Sequence, residues 1–170
     1  MAQSDIRLTP TSYIVLGLIA SAGRATPYDL KRVHDGGIGG FWSLNHAQLY
    51  AEPDRLAGAG YLSVERERGG RRRKSYELTD RGRAAFDEWV ATPTAEFTEL
   101  RDPGLLQLFF GASPGPLAEV QRRIHAERLA EYERLREAAD GWPEGARLVL
   151  ESGIGHEREW LRFWGELAGG

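Results

Sequence analysis

The sequence predicts a mainly α-helical chain with one small β-hairpin, in two parts of different kind. Three observations carry this. Apolar residues recur at three- and four-residue spacing through most of the chain, opened repeatedly by Thr-Pro or Ser-Pro pairs. The period shortens to two only around Gly69-Gly70. The charge balance also changes sign: residues 1–90 hold 13 Lys and Arg against 11 Asp and Glu, whereas residues 91–170 hold 9 against 14.

The first helix is expected from Thr9-Pro10, because Thr caps well and Pro costs nothing at the first helical position. Ile14, Leu16, Leu18 and Ile19 make its apolar strip, and Gly23 ends it. Thr26-Pro27 opens a second helix whose apolar face is Tyr28, Leu30 and Val33, stopped at Asp35-Gly36-Gly37. Four glycines within Gly36–Gly40 demand a turning loop. Ser43 is the N-cap candidate of a third helix through Leu44, Asn45, His46, Ala47, Gln48, Leu49 and Tyr50. Pro53 is expected to kink it or break it before Asp54, and Gly58-Ala59-Gly60 ends the segment.

Leu62 and Val64, then Tyr76 and Leu78, alternate with polar residues on either side of Gly69-Gly70, as two strands of a hairpin do. Thr79 then caps a helix carrying Ala84, Phe86, Trp89 and Val90. Three short helices, a two-stranded hairpin and a following helix are the order of a winged helix-turn-helix domain, expected over residues 1–91. Residues 92–170 read as an α-helical dimerisation domain. After a joint at Thr92-Pro93-Thr94, Pro103 opens a short helix with Leu105, Leu106, Leu108, Phe109 and Phe110. Ser113-Pro114 opens a long polar helix to about Ala139. The last helix runs from about Glu144 to Leu167. Trp142, Trp160, Phe163 and Trp164 are a large aromatic load for so small a domain, so a second copy is expected to cover some of them. The alternative is that they pack on Leu105, Phe109 and Phe110 within one subunit.

Several classes are disfavoured. At 170 residues, 41% apolar and 28% charged, the chain can build a core. The absence of Cys excludes disulfides, thiolate zinc sites and a Cys nucleophile. The longest apolar stretch, Tyr13–Ala20, is far short of the roughly 20 residues that span a bilayer. With no secretion signal visible either, a cytoplasmic protein without membrane partners is expected. His156-Glu157 resembles half of a zinc-protease motif, but Trp160 stands where the second His belongs. The glycine-rich Gly36–Gly40 lacks the Gly-Lys-Ser/Thr of a phosphate loop. No enzyme, cofactor or metal site is expected.

A nucleic-acid partner is expected from two segments together. Asn45 and Gln48 carry amides suited to adenine and His46 can donate to guanine. Ser43, Leu49 and Tyr50 complete this candidate recognition helix, which taken alone is equally an amphipathic helix with a polar face. The hairpin adds Arg66, Arg68, Arg71, Arg72, Arg73 and Lys74. Glu65 and Glu67 offset part of that charge across the strands, but the tip has no acid beside it before Glu77. Such cations meet phosphates or enter the minor groove.

These residues resemble the PadR-type transcriptional regulators over nearly the whole chain. Thr26-Pro27-Tyr28-Asp29-Leu30 resembles the family's second-helix opening. Gln48-Leu49-Tyr50, Arg55-Leu56 and Gly60-Tyr61-Leu62 are similar to its recognition-helix stretch. Lys74-Ser75-Tyr76-Glu77-Leu78-Thr79-Asp80-Arg81-Gly82 matches its K-x-Y-x-L-T-x-x-G run. Leu105–Phe110 and the Trp160/Trp164 helix resemble the longer C-terminal domain of the subgroup with virulence-gene activators. One departure is that many members carry proline near position 51, where this chain has Ala51 and then Pro53. The resemblance implies a homodimer on double-stranded, palindromic operator DNA, usually a repressor, with Tyr50 and the wing cations on the DNA backbone. It also implies a small aromatic effector in some members. The rival readings are a winged helix used for protein association, and a hydrolase using His156. A gel shift separates both from DNA binding.

Overall fold

Thr9 and Ser12 exchange hydrogen bonds at the head of α1 (Pro10–Ala22), each side chain accepting from the other's backbone N–H. The computed structural model describes residues 6–35, 42, 44, 46–66 and 73–169, in two units, Met1–Glu96 and Phe97–Gly170.

In the first unit, α1 contributes Val15, Leu16, Leu18 and Ile19 to the core. Gly23, at φ 73°, turns the chain into β1 (Arg24–Ala25). Thr26 then caps α2 (Pro27–Asp35): its amide and hydroxyl donate to Asp29 Oδ2, and its hydroxyl accepts from the Asp29 amide. After α3 (His46–Gly58) come β2 (Leu62–Arg66), β3 (Lys74–Leu78) and α4 (Asp80–Ala91). The strands are antiparallel in the order β1-β3-β2, with Val64 opposite Tyr76 and Arg66 opposite Lys74. Leu30, Leu49, Leu56, Tyr61, Leu62 and Tyr76 close the core against α1. Tyr13 of α1 stacks on Trp89 of α4 with ring centroids 4.6 Å apart.

The start of α4 explains the Leu-Thr-x-x-Gly run. The Thr79 hydroxyl accepts from the Gly82 amide and donates to the Gly60 carbonyl at 2.7 Å. A Cβ on Gly82 would lie 2.0 Å from the Tyr61 carbonyl oxygen, so only glycine lets the helix approach this closely.

Two expectations are corrected here. A third strand, β1, joins the hairpin; two residues are too few to show an alternating pattern in sequence. Leu44 lies outside the third helix, which begins at His46. Asn45, as strong an N-cap type as Ser43, immediately precedes that first helical residue. Of the kink or break expected at Pro53, the break is absent: the helix runs on to Gly58. Pro53 is fully buried between Leu49 and Leu56, and this packing offsets the backbone hydrogen bond that proline removes.

The second unit contains α5 (Pro103–Phe109), α6 (Pro114–Glu137) and α7 (Glu144–Ala168). Asp102 caps α5 by accepting from the Leu105 amide at 3.0 Å. Helices α6 and α7 run antiparallel, joined through Gly141 at φ 83°. Their contact holds Ala139, Leu150 and Ile154, flanked by Leu129, Tyr132, Leu135 and Trp142. Trp164, expected among the rings needing a partner, is wholly buried in the single chain. Phe109 and Phe110 do not pack as its cover: they are 82% and 78% exposed.

Candidate nucleic-acid interface

The first unit presents α3 with one face in the core and one in solvent. Leu49, Pro53 and Leu56 point inward, while Ala47, Gln48, Tyr50, Ala51 and Asp54 are exposed. Gln48 in the first turn and Tyr50, 46% exposed, are therefore accessible to a groove. Leu49 is not, and its expected place among the contact residues is corrected: it is fully enclosed and serves the core. Ser43 and Asn45 lie outside the described residues, as does the side chain of His46.

Two polar clusters fix α3. On its buried flank, Glu52 Oε1 accepts from the Ser12 hydroxyl at 2.7 Å, and Arg55 donates to both oxygens of the Glu52 carboxylate. The Glu52 hydrogen bond, and then its charge, hold the Arg55 pKa above the usual guanidinium value. On the exposed flank, Asp54 accepts from Lys74 Nζ and from the Tyr76 hydroxyl. Those hydrogen bonds pull Asp54 below the ordinary carboxylate range. Burial, and then the Asp54 carboxylate, push the Tyr76 phenol well above its usual value.

The strand period sorts the wing charges. Arg66, Lys74 and Tyr76 share one face of the hairpin, whereas Glu65 and Glu77 lie on the other. Arg24 of β1 ion-pairs with both of those acids. The expected offset of wing cations by Glu65 is thus corrected: Glu65 faces away and is engaged by Arg24. The expectation that Lys74 has no acid beside it is corrected too, since Asp54, 20 positions earlier in the chain, pairs with it. Arg66 and Arg73 are exposed. Glu67, Arg68, Arg71 and Arg72 lie outside the described residues.

Tyr28 and Val33, expected on the apolar face of the second helix with Leu30, are corrected to exposed positions, and sequence reading missed Lys31. Tyr28 is exposed in the first turn of α2, and Lys31, which donates to Asp35, lies within electrostatic reach of the Tyr28 and Tyr50 hydroxyls. Arg73 similarly reaches Asp29. Charged groups at the start of α2 thus lie within electrostatic reach of the open face of α3 and of the base of the wing. Only the exposure of an aromatic beside cations could have signalled this, and exposure is not visible in a single sequence. His34 is buried, with its ring nitrogens within hydrogen-bond distance of Asp35 and of the Trp42 carbonyl, and ties the end of α2 to the chain before α3. In the second unit His156 is exposed, while Glu157 pairs with His125 at 2.6 Å.

A helix-turn-helix whose exposed second helix stands beside a cationic two-stranded wing defines the winged-helix class of DNA-binding regulators. Residues 15–88 match the transcriptional regulator PadR-like family, and residues 100–168 match the virulence activator alpha C-terminal domain. The first unit is thus similar to the PadR-like family of transcriptional regulators, and the second to the C-terminal domain of virulence activators. The chain is similar to the negative transcriptional regulator PadR of Bacillus subtilis (strain 168), 28% identical over 100 residues, 58% of this chain and 54% of that protein. The chain thus spans about half the length of that relative. The fold is shared with the crystal structure of Bacillus subtilis PadR in complex with operator DNA: TM-score 0.84, 22% identity, 96% of this chain and 99% of that one. It is also shared with the same regulator in complex with p-coumaric acid: TM-score 0.76, 22% identity, 95% of this chain and 97% of that one. No described helix is long and apolar enough to cross a membrane.

Proposed function

We propose that this chain is a sequence-specific transcriptional repressor that binds a palindromic operator as a homodimer. The observation that carries the reading is the exposed face of α3 bearing Gln48 and Tyr50, beside a wing whose Arg66 and Arg73 are also exposed. Gln48, with Asn45 and His46 before it, reads base edges in the major groove. Tyr50, Arg66, Arg73 and the tip cations Arg68, Arg71 and Arg72 hold the register on phosphates. Residues 1–91 make these contacts and residues 92–170 bring two copies together.

Support for pairing comes from apolar surface that one chain leaves uncovered. Leu106 and Phe109 of α5 and Phe110 just after it are exposed, and Val120 and Ile124 stand one turn apart on α6. Binding both half-sites requires the two recognition helices to stand roughly 34 Å apart, one turn of B-form DNA. A regulator of this kind works in the cytoplasm, beside the chromosome. An aromatic carboxylate of the p-coumaric acid type is the effector to try, because a relative has been crystallised with it. It would release the operator by changing the spacing of the two winged helices.

The test is binding to duplexes from the protein's own promoter region, measured across salt concentrations. Each of Arg66→Ala and Arg73→Ala should lower the salt slope by about one and weaken all sequences alike. Gln48→Ala should instead change base preference at one half-site position. Wild-type protein with no preference for any recovered fragment over random DNA would refute sequence-specific repression.

A further inference from the structure

Resting on the DNA-binding reading above, we infer that Asp54 is a positioning residue that latches the wing to the recognition helix, with Lys74 as the cation of that latch and not a phosphate contact. Three hydrogen bonds converge on one carboxylate. Lys74 Nζ donates to Oδ1 at 2.8 Å and to Oδ2 at 2.6 Å, and the Tyr76 hydroxyl donates to Oδ1 at 2.8 Å. Lys74 and Tyr76 stand two apart on β3 and so share a face. The Tyr76 ring is buried in the core opposite Val64, which fixes the point in space from which its hydroxyl reaches α3.

The charges explain why an acid belongs on this surface. Arg66 and Lys74 are directly opposed across β2 and β3, and like charges so placed repel. Asp54 is bonded to Lys74 and lies within electrostatic reach of Arg66. An exposed acid beside DNA otherwise opposes phosphate binding. Here it joins the elements that carry base contacts and backbone contacts, which must keep one spacing for both to engage a groove. A single Lys–Asp pair at this exposure contributes little to stability. The added bond from an immobile Tyr76 gives the pair a defined direction, so its effect falls on geometry.

The experiment uses full-length wild type, Asp54→Asn, Lys74→Gln and Lys74→Arg. Affinities for operator and random duplexes are measured across salt, and backbone amide exchange is measured on the DNA-free proteins. Asp54→Asn and Lys74→Gln should each reduce the operator-to-random affinity ratio by roughly tenfold, through operator binding alone. Random-duplex affinity should hold or rise in Asp54→Asn, because an anion has gone. Lys74→Gln should keep the wild-type salt slope, and Lys74→Arg should keep the ratio. In the free proteins, exchange should quicken in β2 and β3 and not in α1. The latch is overturned if Lys74→Gln lowers the salt slope by about one, if Asp54→Asn keeps the ratio, or if operator and random binding fall equally. Should wild type bind no duplex at all, the functional reading fails. Amide exchange then still decides on the latch, and unchanged exchange in β2 and β3 of Asp54→Asn rejects it.

Discussion

The Ser12 hydroxyl of α1 donates to Glu52 of α3 across 2.7 Å, and both side chains are buried. Ser12 also accepts from the Thr9 amide at the head of its own helix. One hydroxyl therefore serves the start of α1 and the placement of α3, and Arg55 closes the cluster from the solvent side. The exposed flank of α3 is held to β3 by Asp54 in a comparable way. Helix α3 is thus fixed along both flanks, by the buried Glu52 on one side and by the exposed Asp54 on the other.

Loss of the Glu52 carboxylate should leave Ser12 and Arg55 without their shared acceptor. Glu52→Ala is expected to destabilise the protein by about 2–4 kcal/mol, and Ser12→Ala by about 1–2 kcal/mol. Urea denaturation followed by circular dichroism checks both, and the double variant should lose less than the sum of the two. Strict additivity would mean that the two residues do not act as one cluster.

Asp29 sits below the usual carboxylate range because the Thr26 hydroxyl, and then the Thr26 amide, donate to its charged form. An acid whose pKa is lowered by folding stabilises the fold above its unfolded value, near 3.9, and that contribution is lost as pH falls through the folded value. The stability gap between wild type and Asp29→Ala should therefore be widest at neutral pH and narrow below about pH 4. Denaturant titrations at pH 7 and pH 3 test this, and an equal gap at both would contradict it.

Gly82→Ala should be among the most damaging single-methyl additions, because its Cβ would lie 2.0 Å from the Tyr61 carbonyl. A loss of about 3 kcal/mol or more is expected from forcing α4 off its seat. Gly155→Ala, on α7 with open space around its Cβ, should instead raise stability by about 0.5–1 kcal/mol. Melting temperatures of the two variants should move in opposite directions.

Replacing Phe109 and Phe110 together by Glu should leave each chain folded, since both rings are mostly exposed. It should weaken self-association by more than tenfold at a surface of this kind. Sedimentation is expected to give a species of twice 19.0 kDa for wild type and a single chain for the variant. Far-ultraviolet circular dichroism should be unchanged; a variant that still pairs would move the interface elsewhere.

Much of the element order was legible because its signals are local. Thr9-Pro10, Thr26-Pro27, Pro103 and Ser113-Pro114 mark helix starts within one turn of where they act, and Thr79 with Gly82 does so within three residues. The family resemblance was legible for the same reason, since the Lys74–Gly82 run packs a strand end, a cap and a close approach into one stretch. Only the tertiary structure decided which of those residues face a partner. Leu49 looks like its neighbours in a polar helix until the core closes over it. Glu65 and Arg66 are adjacent in sequence but the strand period puts them on opposite faces, so Glu65 goes to Arg24. Asp54 and Lys74 meet across 20 positions of chain. Backbone signals act over three or four residues, whereas burial and charge pairing depend on which surfaces the packed elements bring within a few ångströms.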